Sequence, residues 1–163
     1  MAVWGWIFAV GIGATLVMDA WAILLRRVYG IASLDYALVG RWLGHMTRRT
    51  FVHERIVAAS PVAGESLLGW IAHYAIGIAF AGILLLVAGP EWARRPTPWL
   101  ALAVGIVSIV APFFIMQPSF GMGIAASNLP DPNVARLRAL VTHTVFGAGL
   151  FLSAWLVARL SQG

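Results

Sequence analysis

Four long apolar blocks divide the chain: residues 4–25, 67–87, 99–116 and 139–157, which are 22, 21, 18 and 19 residues long. A helix needs about 20 apolar residues to cross hydrocarbon, within a range of roughly 17–25, so each block qualifies, the third only just. Together they hold 80 of the 163 residues but a single charged side chain, Asp19. Backbone amides in hydrocarbon must find partners within their own segment, which favours helices over open strands. The blocks are also continuous runs, unlike the short alternating stretches of a membrane barrel. The pattern predicts an all-α integral membrane protein, a four-helix transmembrane bundle forming one domain over residues 1–163.

The connections add detail. The first, residues 26–66, is too long for a simple helix–helix turn. Within it Ser33 stands where a cap would start a helix over residues 34–46. On a helical wheel Tyr36, Val39, Leu43 and Met46 form a stripe flanked by Leu38 and Trp42, with Arg41 and His45 facing away. That is an interfacial amphipathic helix, not a fifth span. Residues 47–55 are polar and basic, and Pro61 and Gly64 precede the second span. In the third connection Asp131 and Pro132 read as the cap and first residue of a helix that begins before the membrane. Pro112 is expected to kink or break the third span.

Composition agrees with a membrane protein. Hydrophobic residues are 61% and charged ones 10%, against roughly 45–50% and about 25% in soluble chains. There is no cysteine, so a disulfide scaffold, thiolate metal sites and thioether-linked haem are excluded. The net charge of +5 comes entirely from arginine, with no lysine. These arginines flank apolar blocks, which points to topology and away from nucleic acid. The first and third connections carry eight of the eleven, and the opposite side carries Arg94, Arg95 and Arg159. The positive-inside rule then places the first and third connections in the cytoplasm and both termini outside. The first block lacks a basic leader and exceeds a signal-peptide core, so it reads as an uncleaved span. Trp4, Trp6, Trp92, Trp99 and Trp155 fall at the outer interface, with Trp21 and Trp70 near the inner one, as aromatic anchors.

Candidate chemistry lies in the few polar residues of the spans. Asp19 and His73 each lie six residues from the cytoplasmic end of their span, about 9 Å deep, and His143 about 6 Å deep. Gln117 closes the third span, and Thr15 is one turn above Asp19. A carboxylate or imidazole at that depth must face the bundle interior or a wet cavity. His73–Gly77 and His143–Gly147 share the spacing H-x-x-x-G, and the glycine leaves room for a close helix contact, a water or a flat cofactor. Asp19, His73, Gln117, His143 and Thr15 are therefore the candidate ligand-binding set. Asp19, His73 and His143 could hold a transition metal, or the two histidines a b-type haem with Arg136 or Arg138 at its propionates. The competing readings are hydrogen-bonded glue between helices, as in an accessory or assembly subunit of a larger membrane complex, and a small proton-coupled transporter, as a homodimer because four helices enclose little volume. His45, His53 and Glu54 read as solvated or headgroup residues, because His53–Glu54 does not extend to H-E-x-x-H.

The strings SLDYALVGRWLGHM, GWIAHYAIGIAFA, APFFIMQPSFGMGIAAS and RLRALVTHTVFG resemble a bacterial family of small integral membrane proteins known only as a domain of unknown function. The resemblance covers nearly the whole chain and implies a four-span inner-membrane protein of Gram-negative type. It implies no activity.

Overall fold

The apolar blocks do become helices, and each extends past its apolar run. A computed structural model describes residues 2–161; among them there is no strand. Helix α1 is Val3–Tyr29, α2 is Tyr36–Met46 and α3 is Glu65–Arg94. Then follow α4 at Pro98–Val107, a π-wound turn at Pro112–Met116, the short α5 at Gln117–Ser119, and α6 at Pro132–Leu160. Four helical stretches are long and apolar enough to cross a membrane: Val3–Tyr29, Glu65–Arg94, Pro98–Ser119 and Pro132–Leu160. The chain is a multi-pass membrane protein.

The interruptions have local causes. Pro112 opens the π turn of the third span, because its ring removes an N–H and crowds the preceding turn. In α3 the helix breaks at Gly89 (φ 77°, ψ 168°), a conformation open to glycine, and restarts at Pro90. Helix α6 starts at Pro132, as the Asp131–Pro132 pair predicts. Helix α2 starts two residues later than expected, and its cap is not Ser33. Asp35 accepts a hydrogen bond from the Ala37 amide at 2.9 Å. A carboxylate directly before the first turn satisfies a free N–H that Ser33 is too far back to reach.

The chain divides into two compact units. One comprises residues 1–33, 74–108 and 141–163. Its core is Trp6, Val10 and Ala14 of α1, Ala81 and Leu84 of α3, Ala101 of α4, and Phe146, Leu150, Ala154 and Val157 of α6. Small residues let these backbones touch. A Cβ on Gly11 would strike the Ile78 backbone, and one on Gly105 would strike Gly147. Lipid tails are as apolar as leucine, so close packing of this kind holds membrane helices together where burial alone cannot. Trp6 departs from its expected place as an interfacial anchor: it is 7% exposed and packs edge-on against Trp92 at 6.5 Å. Trp4 and Trp99 remain 72% and 79% exposed, as anchors would be.

The other unit comprises residues 34–73 and 109–140. Its core is Val39, Ile56 and Phe120, packed by Tyr36, Leu38, Trp42, Leu43, Met116 and Met122. Helix α2 is seated on the first turns of α3, where a Cβ on Gly40 would meet the Glu65 carbonyl.

Leucine at Gly105 or Gly147 should lower thermal stability in detergent by about 1–3 kcal/mol, the range for overpacking, or block folding. Gly82→Ala is the control. Its methyl would meet nothing closer than 3.9 Å, so its melting temperature should hold or rise slightly. An unchanged melt for Gly147→Leu would refute the close crossing.

Candidate functional site

In the first unit the polar residues of the spans are bound to their neighbours. The Thr15 hydroxyl donates to the Gly11 carbonyl at 2.8 Å, the usual way a buried threonine is satisfied in a helix. It also fills the gap beside Gly77, whose missing Cβ would lie against Thr15 Oγ1. Asp19 accepts a hydrogen bond from the Tyr74 hydroxyl at 2.9 Å, joining α1 to α3. Ser108 donates to the Gly105 carbonyl at 2.6 Å and lies 2.7 Å from His143 Nδ1. A hydroxyl has one proton. With that proton on the carbonyl, Ser108 accepts from His143 Nδ1–H, and a neutral His143 keeps its lone pair on Nε2. No hydrogen bond to Nε2 occurs among the described residues. The space beside Gly147 is taken by the Ala101–Leu102 backbone, so both H-x-x-x-G glycines serve helix contacts.

In the second unit His73 stacks on Tyr36 with centroids 4.0 Å apart, and Trp70 meets it edge-on at 5.8 Å. Gln117 is 8% exposed, and its Oε1 is buried without a partner among the described residues. No group of three or more His, Asp or Glu side chains among the described residues is placed to hold a metal ion.

A second polar cluster joins α2 to the connections. Arg41 forks onto Glu65, Nε to Oε2 at 2.9 Å and Nη2 to Oε1 at 2.7 Å. Its Nη1 donates to the carbonyls of Ile56, Val57 and Ala59 at 3.1–3.4 Å. The two side chains are 12% and 17% exposed. The hydrogen bonds that Arg41 donates to Glu65 hold its guanidinium above its ordinary pKa despite desolvation. Glu65 Oε2 also accepts from the Val62 amide, fixing the entry to α3.

One turn on, His45 Nε2 lies 3.0 Å from the Ser60 carbonyl and its Nδ1 lies 2.7 Å from His53 Nε2. A carbonyl only accepts, so His45 carries its proton on Nε2, and His53 Nε2–H donates to His45 Nδ1. His53 Nδ1 is then a buried acceptor without a partner. His45 and His53, expected as solvated or headgroup residues, are therefore a hydrogen-bonded, half-buried pair. Residues 53–56 lie along residues 119–121, with amide bonds from His53 to Ser119 and Ile56 to Phe120 and a glycine-only approach at Gly121. Next to this seam is a shallow cavity of about 290 Å³ lined by His53, Glu54, Arg55, Ala58 and Ala59. Arg136, a candidate for haem propionates, instead donates to the Ala125 carbonyl at 2.8 Å and to Asn133.

Residues 8–157 match the sequence model of a family described as protein of unknown function (DUF2938). The chain belongs to this family. No curated protein and no solved structure gives a significant match. Arg41–Glu65 and His45–His53 form bonded polar pairs that the apolar periodicity had set aside. The signal for Arg41 was available: it is the one arginine within α2, and Glu65 is one of six acidic residues.

Arg41→Gln should cost between the roughly 1 kcal/mol of an exposed pair and the 3–5 kcal/mol of breaking a fully buried one. Amide exchange across residues 55–62 should accelerate, since three carbonyls lose their donor. Unchanged exchange there would show that the fork does not organise the connection.

Proposed function

We propose that this chain is a small bacterial inner-membrane protein that binds a hydrogen-bond-donating ligand at Gln117. The observation that carries the reading is the buried, unpartnered Oε1 of Gln117. Such an atom costs about 1–3 kcal/mol when nothing donates to it, and native proteins rarely leave one without a purpose. A ligand carrying an N–H or O–H group suits this acceptor. The second reading, an accessory or assembly subunit, is favoured by Asp19, whose hydrogen bond from Tyr74 joins α1 to α3, and by Thr15, which fills the gap beside Gly77, both without any ligand.

Mass spectrometry of the purified protein, with metal analysis and an absorption spectrum, tests the ligand. Gln117→Leu should abolish the bound mass while raising the stability of the ligand-free protein by about 1–3 kcal/mol, since a buried orphan acceptor is removed. His45→Ala should keep the bound mass. A wild-type protein with no bound species, and a Gln117→Leu variant that is less stable, would leave the accessory reading in front.

The orientation proposed is periplasmic for both termini and cytoplasmic for the first connection, on the eight-to-three arginine split. Reporter fusions at Gly163 and within residues 47–55 should score outside and inside respectively. The reverse pattern would overturn the topology.

A further inference from the structure

We infer that residues 47–58 form a preorganised docking surface for anionic phospholipid headgroups, with Phe51 and Val52 entering the lipid interface. The inference is independent of the ligand proposed for Gln117.

The backbone of this segment is tied inward. The amides of Arg48 and Thr50 donate to the His45 carbonyl, and that of Arg49 to Met46. Trp42 Nε1 donates to the Phe51 carbonyl at 2.8 Å. The His53 and Ile56 amides bond to Ser119 and Phe120, and Arg41 gathers the carbonyls of Ile56, Val57 and Ala59. Arg49 is held at φ 62°, a left-handed turn that a non-glycine residue adopts only when its surroundings impose it.

The side chains do the opposite. Phe51, Val52 and Val57 are 55%, 67% and 55% exposed. Arg48, Arg49 and Arg55 are exposed, and no acidic side chain pairs with them among the described residues. Glu54 is the single acidic residue of the segment, so three positive charges meet one negative. Exposed phenylalanine and valine among unpaired arginines match a surface that is apolar below and anionic above. The segment also lies on the connection between two helices that are long and apolar enough to cross a membrane. Arginine forks onto phosphate oxygens bidentately, which suits a phosphodiester better than a diffuse negative field. Because the loop is already folded, docking orders little additional chain.

The chain has no cysteine, so Val52→Cys places a single environment-sensitive fluorophore on the full-length protein. The protein is examined in nanodiscs of phosphatidylcholine alone and mixed with phosphatidylglycerol. Val87→Cys, on a residue 66% exposed within α3, is the control that should meet lipid in both. The label at position 52 should shift to the blue and be quenched by lipid-borne quenchers in the anionic discs. Each of Arg48→Gln, Arg49→Gln and Arg55→Gln should lower the embedded-to-exposed ratio about five-fold, as ~1 kcal/mol per basic side chain implies, and salt should weaken it. A label that is water-exposed in both discs overturns the inference, as does embedding that ignores the arginines. Inorganic phosphate shifting the label in phosphatidylcholine discs would assign the arginines to free phosphate instead. Protection that requires an added protein would assign the surface to a protein partner. Either result also overturns the lipid assignment.

Discussion

Hydrocarbon supplies no hydrogen bonds, and that constraint shapes this chain at every level. It selects helices, because only a helix satisfies its own amides within a segment. It also decides what the few polar side chains of the spans do. Thr15 turns back onto Gly11, Asp19 takes the Tyr74 hydroxyl, and Ser108 links Gly105 to His143. Close approach then follows from glycine. The backbones of α1 and α3 meet at Gly11, and those of α4 and α6 at Gly105 and Gly147, so dispersion contacts replace the hydrophobic drive that lipid removes.

The spans were legible because their signal is composition over about 20 residues, which no local propensity can override. Pro112 and Asp131–Pro132 were legible for a different reason: proline restricts its own turn whatever surrounds it. Ser33 as the cap failed because capping depends on one residue of register, and Asp35 was the better acceptor two positions on. Trp6 was misplaced because depth alone cannot tell which side of a helix faces a neighbour, and Trp92 lies far away in sequence. Of the candidate site, Asp19, Thr15 and His143 could be placed at depth from the sequence. Their partners could not, since Tyr74 and Ser108 are 55 and 35 residues away.

The connections hold what periodicity cannot show. His53 lies against Ser119 through backbone bonds, and backbone pairing leaves almost no trace in side-chain pattern. The trace that exists is glycine. Gly121 and Gly123 adopt φ 83° and 74°, and Gly121 passes so close to Glu54 that a Cβ has no room. Beyond them Ala125 and Ala126 adopt left-handed conformations at φ 49° and 62°, which alanine disfavours. Arg136 donates to the Ala125 carbonyl and holds that turn in place. Strain of this kind persists only where surrounding contacts over-determine the backbone.

Arginine therefore does two separate jobs. Arg41 and Arg136 are spent inside, each gathering carbonyls or a carboxylate that would otherwise lack donors. A guanidinium suits this because its five donors point in fixed directions and it stays charged when desolvated. Arg48, Arg49 and Arg55 stay outside on a backbone that those internal bonds have already fixed. The division explains why an all-arginine chain is not simply a basic one. Arg41, held by its fork on Glu65, is what positions residues 56–59. With that segment set, neighbouring arginines can present a surface instead of fraying into solvent.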